Sequence, residues 1–210
     1  MSLVDIRKLK GANYLGIWKI EEDESFFHQQ LQLNDAELEY LNVIKVMQRR
    51  LQWLSSRLLI RKIINPPGQI LMRWDERGKP ELINYDFEIS ISHCSDQAAV
   101  IVGDRKAGLD IEEKDEKILR IGKKFMNSPE RDRAIEGLET EYHLAIWAAK
   151  ESVFKFHGGG GIDFRGHIEV FISDIRESGT FKAIFRKEQP EITHEVRYEW
   201  HGNHLLTWLI

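Results

Sequence analysis

Two acids spaced two residues apart, Asp110 and Glu112, open the search for chemistry in this 210-residue chain. They stand in Gly108-Leu109-Asp110-Ile111-Glu112. An extended backbone there puts Leu109 and Ile111 on one face and both carboxylates on the other. Carboxylate oxygens converging from one strand face suit a hard cation such as Mg²⁺, which takes a few of them and leaves positions for water and phosphate. Gly108 lets the chain turn into the strand without strain. An edge strand with two acids on its wet face would look the same, so this motif alone assigns nothing.

A third acid comes from residues 144–156, LAIWAAKESVFKF, whose Ala, Leu, Lys and Glu favour helix. On a helical wheel Leu144 and Ala148 share a face with Glu151 and Lys155, flanked by Trp147 and Phe154. Both charges therefore fall in the middle of an apolar stripe, where an unpaired charge is expensive. A Glu–Lys pair four residues apart is usually surface decoration. Its face here favours a third metal carboxylate with a cation beside it.

Other residue types could bind phosphate. Arg50, Arg57 and Arg61 lie on one side of a helical wheel, with Leu54 between them. They read either as a solvated basic face or as a guanidinium row offering forked donors to phosphate oxygens. Lys79, in the polar turn 75–80, could hold an anion with neighbouring backbone, although a turn needs no further reason. His93 ends an alternating strand and can donate one hydrogen bond to a phosphate. His93-Cys94 is a poor zinc or nucleophile site, since no C-x₂-C or H-x₃-H spacing accompanies it and adjacent strand residues point to opposite faces. The four glycines at 158–161 lack the G-x-x-x-x-G-K-[ST] form of a nucleotide loop.

The elements that position these residues follow from periodicity and punctuation. Residues 13–20 read as a strand. Asn34, with Glu37 at the capping-box position, starts a helix that runs to about residue 64, with a break near 42–46. Asn65-Pro66-Pro67-Gly68 stops it. Residues 87–93 and 98–102 read as strands of a small antiparallel sheet that ends in the acidic strand. An amphipathic helix over 117–126 has Ile118, Ile121 and Phe125 on its apolar side and Lys117, Arg120 and Lys124 as a basic stripe. Ser128 caps the next helix, Pro129 opens it and Gly137 ends it. Strand-like runs follow at 167–172, 180–186, 195–201 and 205–210. Each half is thus a helical stretch followed by a small sheet, a duplication visible in element order only.

Composition bounds the class. A hydrophobic fraction of 42% and six Trp are enough for a real core, in one large domain or two intimately packed small ones. A net charge of −4 and a pI near 6.1 give no global reason to expect nucleic acid. The single Cys94 rules out an intrachain disulfide and suits a reducing compartment. The start, MSLVDIRKLKG, lacks the apolar core of a signal peptide, and no run approaches membrane-spanning length. A cytoplasmic protein that engages neither membrane nor nucleic acid is the expectation.

Together these residues resemble the 4′-phosphopantetheinyl transferases, specifically the Sfp-like class with two similar halves in one chain. The match runs through Gly78-Lys79-Pro80, Ile91-Ser92-His93-Cys94, Gly108-Leu109-Asp110-Ile111-Glu112, Lys124-Phe125-Met126-Asn127-Ser128-Pro129-Glu130 and Trp147-Ala148-Ala149-Lys150-Glu151-Ser152-Val153-Phe154-Lys155. It covers about residues 50–165, and the pairing of G-(I/L)-D-I-E with W-x-x-K-E-x-x-x-K is highly specific. The resemblance implies an α+β fold of two similar α/β halves, 1–106 with coenzyme-binding elements and 107–210 with metal ligands and a carrier-docking helix. The active site would lie at their interface. It implies transfer of the phosphopantetheine arm of coenzyme A to a serine of an acyl or peptidyl carrier protein.

By that match Asp110, Glu112 and Glu151 would hold Mg²⁺, or Mn²⁺ in its place, on the pyrophosphate. Lys155 would assist phosphate charge, and Glu151 or a metal-bound water would take the serine proton. Ser92 and His93 would contact the coenzyme's phosphates, Lys79 and Pro80 form its binding turn, and Arg57 or Arg61 serve the 3′-phosphate, with Arg50 on the same helix side. Two departures stand out: only glycines occupy 158–161, where the family often has a Lys, and Cys94 replaces a common Ser. A duplicated chain needs no partner subunit, so a monomer is expected. The rival readings are a metal-dependent phosphodiester hydrolase and a non-catalytic module that binds coenzyme or carrier.

Overall fold

The structure, a computed structural model, describes residues 3–210. Two compact units emerge. The first runs to Glu76 and resumes over Pro80–Lys106; the second comprises Arg77–Lys79 and Ala107–Ile210.

The first unit contains β1 (Leu3–Lys8), β2 (Tyr14–Lys19), α1 (Glu24–Gln30), α2 (Asp35–Val43), α3 (Met47–Ile64), β3 (Met72–Trp74), β4 (Pro80–Leu82), β5 (Glu88–Cys94) and β6 (Gln97–Gly103). Its main sheet is antiparallel in the order β1-β2-β6-β5, while β3 and β4 pair as a separate hairpin. β6 is buried at every position, and α3 packs on β2, β5 and β6 through Leu54, Leu58, Leu59 and Ile60. The helical stretch is punctuated as its sequence suggests. Asn34 and Glu37 form a reciprocal capping box, residues 44–46 separate α2 from α3, and Asn65 ends α3 with φ of 48°. β1, α1 and the β3–β4 hairpin were not legible from periodicity, being short or polar.

The second unit contains β7 (Gly108–Glu113), α4 (Lys117–Phe125), α5 (Ser128–Asp132), α6 (Glu139–His157), α7 (Phe164–His167), β8 (Ile168–Phe171), β9 (Ser178–Phe185), β10 (Ile192–His201) and β11 (His204–Leu209). One antiparallel sheet runs β7-β11-β10-β9-β8, with α6 against it. The core between them is built from Leu144, Ala148, Val153, Phe181, Ala183, Val196 and Leu205. Each unit is therefore an antiparallel sheet covered by one long helix, a mixed α/β plan.

Several sequence expectations change. The acidic strand β7 does not end the first sheet; it pairs with β11, matching Asp110 to Thr207 and Glu112 to Leu205. Strand pairing over that sequence distance leaves no periodic signal. Asn127, not Ser128, caps α5, because its side chain accepts from the Glu130 amide while Glu130 reaches back to the Asn127 amide. α5 ends at Asp132, well before Gly137. On α4 the buried side is Ile118, Gly122 and Phe125, whereas Ile121 and Leu119 are exposed. No helix among the described residues is long and apolar enough to cross a membrane.

Candidate active site

The second unit brings Asp110, Glu112, Glu151 and Lys155 together. β7 is an edge strand of its sheet, and α6 lies across it and β11. The acids face the helix-covered side, not open solvent. Their cross-strand partners Leu205 and Thr207 face α6, and Thr207 Oγ1 donates to the Ala148 carbonyl at 2.8 Å. Ser152 Oγ closes the clamp, 2.7 Å from Thr207 Oγ1 and 3.0 Å from the Thr207 carbonyl.

Gly108 sets how close the strand can come. A Cβ there would stand 1.9 Å from the Ser152 carbonyl oxygen and 2.7 Å from the Phe156 amide nitrogen. Close approach of β7 to α6, more than entry into the strand, is what requires glycine. The result carries the acids of β7 to the helix that bears Glu151.

Within this cluster Lys155 Nζ donates to Asp110 Oδ1 at 2.7 Å, and Trp147 Nε1 donates to Glu112 Oε1 at 2.8 Å. Asp110 is 3% exposed, and Glu151 and Lys155 are half-buried, so the charges lie at the edge of the apolar stripe and not in its middle. Burial pushes the Glu112 carboxyl up to about 7, reinforced by the Asp110 charge and opposed by the Trp147 hydrogen bond. Burial likewise pushes Glu151 up to about 7, reinforced by Asp110 and opposed by Lys155. These carboxylates are crowded and short of positive charge.

That donor set fits a hard divalent cation. All its donors are carboxylate oxygens, and a cation would relieve the repulsion that now favours protons. Among the described residues no three His, Cys, Asp or Glu side chains form a ready-made cage, and Lys155 supplies the positive charge beside Asp110.

Sequence reasoning missed the pair behind the site. Lys150 and Glu130 have fully buried side chains joined at 2.7 Å, and Lys150 Nζ also donates to the carbonyls of Phe125 at 2.9 Å and Phe164 at 2.8 Å. Glu130 Oε1 accepts the Val170 amide, so this carboxylate also closes an edge amide of β8. Burial lowers the Lys150 pKa while Glu130 opposes it. A lysine inside the run IWAAKES was the available signal, with no hint of its partner.

The phosphate-binding candidates outside 107–210 are less concentrated. Ser92 is buried and His93 exposed on adjacent positions of β5. Lys79 groups with the second unit, while Pro80 opens β4 opposite Trp74. The three arginines of α3 each have a different internal partner. Arg50 Nε donates to Glu24 at 2.7 Å, Arg61 Nη1 to the Gly68 carbonyl at 2.9 Å, and Arg57 lies 3.4 Å from Glu37 and over the Trp53 ring. They share a helix side without forming one open row.

A 4′-phosphopantetheinyl transferase of Aneurinibacillus migulanus, gsp, is 27% identical over 129 residues, covering 60% of this chain and 54% of its own. The 4′-phosphopantetheinyl transferase psf-1 of Bacillus pumilus is 31% identical over 116 residues, covering 51% and 50%. The chain spans about half the length of the curated relatives it matches. The profile of the 4′-phosphopantetheinyl transferase superfamily matches residues 106–208, the stretch that includes Asp110, Glu112, Glu151 and Lys155.

Proposed function

We propose that this protein transfers the 4′-phosphopantetheine arm of coenzyme A to a serine hydroxyl of an acyl or peptidyl carrier protein, with Mg²⁺ as the metal. The observation that carries the reading is the crowding of Asp110, Glu112 and Glu151 beside Lys155, with two of the carboxyls pushed up to about 7. Asp110, Glu112 and Glu151 would hold the cation, which when bound neutralises charge on the pyrophosphate.

The chain's own residues then do positioning and charge work. Lys155 turns its ammonium to phosphate oxygens. The serine oxygen forms a bond to the phosphorus of the pantetheine phosphate as the bond to adenosine 3′,5′-bisphosphate breaks, and that product leaves. The serine proton passes to a carboxylate of this cluster, for which Glu151 is the candidate. Ser92, His93, Lys79 and Pro80 are assigned to the coenzyme's phosphates, and Arg57 or Arg61 to the 3′-phosphate. The exposed face of α4, with Lys117, Arg120, Lys124, Leu119 and Ile121, is assigned to an acidic carrier.

Intact-mass analysis of apo carrier proteins incubated with coenzyme A and Mg²⁺ tests the reading. Gain of one phosphopantetheine supports it. Hydrolysis of coenzyme A without a carrier would favour a phosphodiester hydrolase, and binding without turnover a non-catalytic module.

A further inference from the structure

Two imidazoles meet where α6 ends. His157 is the last residue of that helix, and its Nε2 lies 2.8 Å from Nε2 of His194 on β10. Aromatic neighbours hold both rings in place. His157 stacks on Phe185 of β9 with centroids 3.7 Å apart and planes 20° from parallel. Phe156 stands edge-on to both, 5.3 Å from the His157 ring and 5.2 Å from that of His194. On the far side of the first imidazole, Glu188 Oε1 is 4.0 Å from His157 Nδ1.

Two ring nitrogens this close cannot turn bare lone pairs on each other; a positive centre must lie between them. A neutral imidazole carries one N–H and one lone pair, so here that centre is a proton on one Nε2. A metal ion can take its place. Two neutral rings hold two protons, and with both on Nδ1 the two Nε2 lone pairs converge on one point without loss of a proton. For His157 the Nδ1–H would then face Glu188, and a carboxylate behind a histidine in this way fixes the tautomer that binds metal.

We propose that His157 and His194 form a site for a transition-metal ion of the zinc type, which ties the end of α6 to β10. Imidazole nitrogen selects zinc, copper or nickel, whereas carboxylate oxygen suits magnesium, so this site differs in chemistry from the acids of β7 and α6. Tetrahedral bonds of about 2.0–2.1 Å would set the nitrogens about 3.3 Å apart, a small opening of the present contact. Among the described residues no three His, Cys, Asp or Glu side chains form a cage, so water fills the other positions. The half-buried His194 gives the ion its way in. The proposal does not depend on the coenzyme A reading.

Calorimetric titration of Zn²⁺ into the whole chain, with Mg²⁺ in excess to occupy the carboxylate cluster, tests it. The wild type should show a Zn²⁺ site that His157→Ala and His194→Ala each weaken by at least tenfold. Glu188→Gln should cost about tenfold, as loss of a partner behind a metal-bound histidine does. His143→Ala, which removes a histidine outside the pair, should bind as the wild type does. No Zn²⁺ binding by the wild type, or a loss under tenfold in either folded histidine variant, overturns the proposal. Where a histidine variant fails to fold, ring ¹⁵N spectra of the wild type decide. Zn²⁺ must shift Nε2 of both His157 and His194, and shifts confined to other histidines overturn the site.

Discussion

Lys150 Nζ lies 2.7 Å from Glu130 Oε2, and neither side chain touches solvent. The pair joins α6 to α5, and through the remaining bonds of each group to the end of α4, to α7 and to β8. One residue further along α6 stands Glu151. The ion pair thus fixes the helix that carries a proposed metal ligand, without itself belonging to the cluster of acids.

Lys150→Met should destabilise the fold by about 3–5 kcal/mol, because it strands a buried carboxylate. Chemical denaturation measures this. The double variant Lys150→Met with Glu130→Gln should regain part of the loss, since the uncompensated charge is gone. Equal stability of the single variant and the wild type would mean that the pair is not buried as described.

Glu112 and Glu151 give stability a distinct pH dependence. Their carboxyls are raised from 4.5 to about 7, so the folded state binds more protons than the unfolded state between those values. The corresponding stability is complete below the unfolded value and lost as pH rises through about 7. Tm should fall across that window, and Glu151→Gln should make the fall shallower. Mg²⁺ should raise Tm more above the window than below it, where protons compete. A Mg²⁺ effect that is the same on both sides would count against these carboxylates as its ligands.

Glu24 acts in the opposite sense. Its hydrogen bonds from Arg50, with a smaller contribution from His28, hold its carboxyl down to about 2 from 4.5. The stability this provides is present above the unfolded value and lost as pH falls through about 2. Charge-assisted hydrogen bonds of this kind contribute about 1.5–3 kcal/mol, at the lower end where solvent reaches them. Glu24→Gln should remove that dependence, leaving a flatter acid limb in a pH series of denaturation curves.

Gly108→Ala tests the contact between β7 and α6. The added methyl meets the Ser152 carbonyl, a backbone atom that cannot swing aside. Loss of well over 1 kcal/mol, or failure to fold, is expected from overpacking at such a place. A Tm unchanged from the wild type would place β7 further from the helix.

The basic side of α4 carries the last prediction. Reversing the charge of Lys117 and Lys124 together should weaken carrier use severalfold and leave coenzyme binding unchanged. Rim pairs contribute about 0.2–1 kcal/mol each and are screened by salt. The salt dependence of kcat/KM for the carrier should therefore flatten. A double variant with wild-type carrier KM and salt response would show that this face does not dock the carrier.

Local chemistry settled much of the architecture before any tertiary contact was known. The Asn34–Glu37 box, the interruption at 44–46 and the stop at Asn65-Pro66-Pro67 depend on residues within one or two turns of each other. Likewise the alternation around Asp110 and Glu112 fixes which side chains share a face, whatever strand lies alongside. The shared wheel face of Leu144, Ala148, Glu151 and Lys155 marked that segment for the same reason.

Only the folded chain decided what those faces meet. Asp110 and Glu112 could have looked into water; pairing of β7 with β11 and the bare backbone of Gly108 turn them toward α6 instead. Lys150 found Glu130 twenty residues away, and Arg50 found Glu24, twenty-six residues away. Arg57, one of three arginines equivalent on a helical wheel, alone became enclosed by Trp53 and Trp74. Periodicity orients a side chain about its own helix or strand. The partner and the burial that set its charge come from segments distant in sequence, and they exist only once the sheet and helix have packed.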